Sequence, residues 1–181
     1  MKDKDFLDMN KFYDDISVDV KKKYINIHFL TPYELKIKSD AIFEELPLFK
    51  NTFGPRSVNN WNDRLTEEIE IFNILKEKYK YSLGFAVFDN LEHVSNNRIW
   101  TVDFHPSKGS KTKKLEIRIS IMYPKETPIV GKSVGDRHVS LLAKCFGKLR
   151  NRWRNDGKYG LAHFCTMIGY YYALENKSVR I

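Results

Sequence analysis

An α+β fold is predicted for this 181-residue chain by three features met in order along it. Apolar residues recur at three- and four-residue steps from Arg64 to Tyr81, strand-like runs follow between Ser82 and Met122, and a second helical stripe runs from Leu161 to Leu174. A helix, an antiparallel meander and a closing helix around one core suit a chain of 21.4 kDa with 42% hydrophobic residues. The 12 Phe, 10 Tyr and 3 Trp supply large apolar surfaces for that core and argue against wholesale disorder.

The first sixty residues read as an extension. Ile25, Ile27 and Phe29 alternate on one face, and Leu35 and Ile37 follow Thr31-Pro32-Tyr33, which predicts a β-hairpin packed on the edge of the main sheet. Turn and capping residues gather in Val58-Asn59-Asn60-Trp61-Asn62-Asp63 after Gly54-Pro55. They divide the chain into an N-terminal extension, 1–60, and a core domain, 61–181.

The core domain opens on the amphipathic helix. Leu65, Ile69, Phe72, Leu75 and Tyr79 mark its apolar stripe, Asp63 is placed to cap it, and Glu67 and Glu68 sit near its positive end. The strand-like runs are Ser82 to Phe88, Arg98 to Phe104 and Lys114 to Met122. In the last, Leu115, Ile117, Ile119 and Ile121 alternate with Glu116, Arg118 and Ser120. The loop from His105 to Lys113 carries Pro106, Gly109 and three lysines and reads as a solvated turn. After Tyr123-Pro124-Lys125-Glu126-Thr127-Pro128 regular patterning stops for about thirty residues, a length that marks a loop as functional or disordered. That stretch contains Cys145. Leu161, Phe164, Cys165, Ile168, Tyr171, Tyr172 and Leu174 then trace one helical face, so Cys165 reads as a core residue.

The charge is unevenly placed. Lys and Arg total 31 against 23 Asp and Glu, a net +8, yet residues 1–60 carry ten of each sign, so the whole excess lies in residues 61–181. It peaks at Lys144, Lys148, Arg150, Arg152, Arg154 and Lys158, which face only Asp156 in sequence. Two cysteines exclude a disulfide framework and fit a reducing cytoplasm. No run approaches the roughly 20 apolar residues of a membrane span, and Met1 to Asn10 has no signal-peptide core. A thiol acts as a nucleophile through its thiolate, which nearby cations favour. Cys145 has such neighbours in sequence and Cys165 does not; a buried small hydrophobe is the equal alternative for Cys145.

From Arg64 to Asn176 the ordered elements resemble the ubiquitin-conjugating (E2, UBC-like) family. Arg64-Leu65-Thr66-Glu67-Glu68-Ile69 resembles the opening of its first helix, and Ile99-Trp100-Thr101-Val102-Asp103-Phe104 its second strand. Leu115 to Met122 running into Tyr123-Pro124 and Pro128 resembles its third strand and proline turn. Cys145 stands eight residues before Trp153, the spacing of catalytic Cys and Trp in ordinary members. The family's His-Pro-Asn motif is replaced by Arg137-His138-Val139-Ser140, and about four extra residues, Arg154 to Gly157, lengthen the path to the final helix. The run past Asn176 is too short for the two further helices of eukaryotic members, so the resemblance is to the trimmed bacterial, archaeal or viral type.

The resemblance implies a UBC-like domain with about four antiparallel strands and a transferase that carries a thioester. Cys145 would accept a ubiquitin-like modifier from an E1-like activating enzyme and pass it to an amine or thiol acceptor, with an E3 or a target protein as a further partner. His138, Ser140 or Asn151 would stand in for the absent oxyanion donor. Thiol exchange needs neither metal nor cofactor. The alternative on the same fold is a catalytically inactive UEV- or RWD-like protein-binding module. Nucleic-acid binding is a weaker alternative: Phe146, Trp153 and Tyr159 are interleaved with the basic residues, but no recognised motif accompanies them. A zinc set of His138, Cys145, His163 and Cys165 matches no common spacing, and the strand meander before Cys145 does not suggest a Cys145/His138 protease.

Overall fold

The computed structural model describes residues 31–79, 87–94, 98–105, 112–131 and 144–180. Its elements are α1 (Pro32–Glu45), α2 (Val58–Tyr79), β1 (Val87–His93), β2 (Ile99–His105), β3 (Lys113–Arg118), β4 (Ile129–Val130), α3 (Phe146–Arg152) and α4 (Leu161–Arg180). The strands form one antiparallel sheet in the order β1-β2-β3-β4. The α+β class and the antiparallel meander expected from the sequence are both present, with a short fourth strand, β4, added to the three runs read from the residues.

Leu35 and Ile37 lie in a helix, not in the expected hairpin. Thr31 Oγ1 accepts from Glu34 N–H and Pro32 fills the first turn, so the signals read as a strand turn are a helix start. Leu35, Ser39 and Ile42 then recur on the buried side. Leu35, Ile42, Leu46 and Phe49 join the same core as α2, the sheet and α4. The hairpin's other half, Ile25 to Phe29, lies outside the described residues.

Helix α2 begins at Val58, so Asp63 sits inside it rather than capping it. Ser57 O accepts the Asn60 and Trp61 N–H groups, and Trp61 is buried edge-on against Tyr123, which draws the Asn-rich segment into the helix. The buried side is also rotated from the apolar stripe. It runs through Trp61, Arg64, Glu68, Ile71, Phe72 and Leu75, while Ile69 is exposed. Two charged residues face inward because they satisfy each other and several backbone carbonyls.

In the sheet, Trp100, Val102 and Phe104 of β2 alternate inward and meet Leu115 and Ile117 of β3. The first strand runs to His93, beyond its expected end at Phe88, and Ser82 to Gly84 and their neighbours to Ala86 lie outside the described residues. A bulge between Asp89 and Glu92, with Asn90 at φ 51°, returns Leu91 to the core and hides the alternation in the sequence. β3 ends at Arg118 rather than Met122: Ser120 O accepts Tyr123 N–H and Ser120 Oγ accepts Met122 N–H, which turns the chain. The long irregular stretch contains α3. Helix α4 packs on α1, α2 and α3, with Tyr172 edge-on to Phe104. Among the described residues, no helix is long and apolar enough to cross a membrane.

Candidate functional site

Cys145 stands at the N-terminal end of α3 with helical backbone angles, φ −75° and ψ −10°. Its carbonyl accepts the Leu149 N–H, and both residues turn to the core; Cys145 is 1% exposed. Burial and then the Glu175 carboxylate push its thiol up to about 11, and Lys148 offsets this only in part. The expected cationic activation is therefore outweighed. Lys148 pairs with Glu175 at 3.2 Å, Arg152 with Asp40 at 3.5 Å and Arg154 with Asp156. Acids from α1 and α4, distant in sequence, neutralise two of the six cations that looked unopposed, and Asp156 pairs a third.

Of the other expected site residues, Asn151 is exposed on the solvent side of α3, away from the buried Cys145. His138 and Ser140 lie outside the described residues. Trp153 ends α3, and its Nε1–H donates to Pro124 O at 2.9 Å. This bond ties the end of the Cys145 segment to the Tyr-Pro turn, so two stretches that carry the resemblance are in contact.

The densest polar grouping lies elsewhere, around Arg64. Its Nε donates to Glu68 Oε2 at 3.0 Å, its Nη1 to Asn51 O at 2.7 Å and Gly157 O at 2.6 Å, and its Nη2 to Tyr159 O at 2.7 Å. The guanidinium lies 3.7 Å from the centroid of Phe49. Glu68 also accepts from the Tyr123 hydroxyl and, through Oε1, from Leu161 N–H at 2.8 Å. Burial, then Glu68, drive the Tyr123 phenol well above its ordinary range. The backbone comes close here: a Cβ on Gly160 would lie 2.4 Å from Glu68 Oε1 and 2.2 Å from the Phe49 ring.

His163 completes the group. Its Nδ1 accepts Gly160 N–H at 3.1 Å, which places the ring proton on Nε2, buried and without a hydrogen-bond partner among the described residues. The ring stacks on Tyr159 at 5.0 Å and meets Phe43 edge-on. Burial, then Arg64, lower its pKa to about 3. The sequence signal for this node was the opposite-charge pair four apart on α2, but the Tyr123 and Leu161 contacts come only with the fold. Every oxygen of Glu68 is committed to protein donors, so the node joins α2, the Tyr-Pro turn and the start of α4 rather than presenting a reactive group.

A cleft of about 520 Å³ lies between α1, α3 and α4, with Phe43, Tyr170 and Tyr171 on its walls and the Lys36–Asp40–Arg152 ion pairs at its edge. No protein-family model matches the chain, and no curated protein matches it.

Proposed function

We propose that this chain is an E2-like protein acting as a binding scaffold for a ubiquitin-like modifier or the enzymes that handle one, in the manner of the catalytically inactive UEV and RWD relatives. The resemblance to the family is supported by the order helix, four antiparallel strands, Tyr-Pro turn, Cys145 segment, Trp153 and helix. The observation that supports the binding form is the burial of Cys145: burial and the Glu175 carboxylate of α4 push its thiol up to about 11. A thioester carrier needs the opposite, an accessible sulfur with an appreciable thiolate fraction.

Thioester carriage is the second reading, favoured by the eight-residue step from Cys145 to Trp153 and the bond from Trp153 to Pro124. In it the Cys145 thiolate attacks the modifier's carbonyl; a new C–S bond forms as the bond to the E1 sulfur breaks, and the E1 leaves as a thiolate. An amine then displaces Cys145 and loses a proton. Incubation with E1, ATP and ubiquitin-like modifiers separates the two. The binding form gives co-elution with a modifier or its E1 and no thiol-sensitive adduct. A thiol-sensitive adduct that becomes a stable oxyester in Cys145→Ser would replace it with the carrier.

A further inference from the structure

We propose that the solvent side of α3 docks an acidic segment of a protein partner. This rests on the binding reading above and names the partner's chemistry and its place on the fold. Cys145 keeps helical angles, so Lys144 continues the path of α3, and Lys144, Gly147, Arg150 and Asn151 follow one another along a single exposed face. Cys145 and Leu149 occupy the opposite, buried face.

Among the described residues, no carboxylate compensates the cations of this face. Helix α3 contains no acidic residue. Lys148, Arg152 and Arg154 are each held by a carboxylate, but among the described residues neither Lys144 nor Arg150 has an ion-pair partner. Between them a Cβ on Gly147 would meet nothing within 4 Å. Two cations flanking a residue without a side chain form a saddle, into which a partner backbone can come close while its carboxylates reach both sides.

Nucleic acid fits less well. A single-strand groove needs rings free for base stacking beside its cations. Here Trp153 is bonded to Pro124 and packed edge-on against Tyr159, and Tyr159 stacks on His163. Trp153 and Tyr159, two of the rings that interleave with the cations in sequence, are half-buried and packed against the core.

The test uses the full chain and a labelled decaglutamate peptide, followed by fluorescence anisotropy at low ionic strength. Lys144→Glu/Arg150→Glu should weaken binding by at least about tenfold, and Lys50→Glu/Lys125→Glu, with the same change in net charge elsewhere, by less than about twofold. Gly147→Gln, which favours the helix but fills the saddle, should weaken it about fivefold. Equal losses in the two charge variants, no binding by the unaltered chain, or tighter binding of an equally charged oligothymidylate lost in the same variants would each overturn the proposal. If a ubiquitin-like modifier or its E1 still binds while decaglutamate does not, the docking surface fails and the scaffold reading stands.

Discussion

The arginine at the centre of the fold and the arginines of α3 show what the same side chain does in two settings. Arg64 is fully buried, donates to four acceptors and lies over Phe49. Arg150 stands in solvent on the exposed face of α3, and it makes no ion pair among the described residues. Arg64 is placed where removing one partner strands another, because desolvation of a charge is tolerated only when every donor is used. Arg150 costs the fold nothing and is available to something outside it.

The largest expected effect breaks that contrast at its stronger end. Arg64→Met leaves the buried Glu68 without its cation and should destabilise the chain by about 3–5 kcal/mol in urea unfolding, whereas Arg150→Met should stay within about 0.5 kcal/mol. Similar losses at both positions would dissolve the distinction.

His163 sharpens the same contrast through pH. Its folded pKa of about 3 lies below the ordinary 6.5, so between these values the unfolded chain binds the extra proton. Stability from this residue is present above pH 6.5 and falls as the pH drops toward 3, by on the order of 4 kcal/mol at the lower end. In His163→Phe, stability measured across that window should lose this acid-side slope; an unchanged slope would remove His163 from the account.

The smallest effect belongs to the α3–α4 contact over Cys145. Glu175→Gln removes the Lys148 bridge and the carboxylate that raises the thiol. Alkylation of Cys145 should quicken about two- to fivefold, in keeping with a partly exposed ion pair. Cys165, fully buried on α4, is the internal reference. Equal acceleration of both thiols would report global unfolding instead of a local opening.

Much of the architecture was legible because periodicity follows burial where the buried residues are apolar. The alternation in β2 and β3 gave those strands, and the stripe from Leu161 gave α4. Legibility failed where polar groups decide. Thr31-Pro32 reads equally as turn or helix start until Leu35, Ser39 and Ile42 are seen on one side. The inward face of α2 carries Arg64 and Glu68, which no hydrophobic stripe can report. Around Cys145 the sequence showed the cations but not Asp40 and Glu175, which arrive from α1 and α4, nor the direction of the thiol.

Glu68 and His163 accept the Leu161 and Gly160 N–H groups at the start of α4. The opening amides of a helix have no acceptor within it and are usually the first to exchange with solvent. Here they are sealed beneath Phe49 and Arg64, so the end of α4 that would ordinarily fray is fastened to the most deeply anchored charge in the molecule.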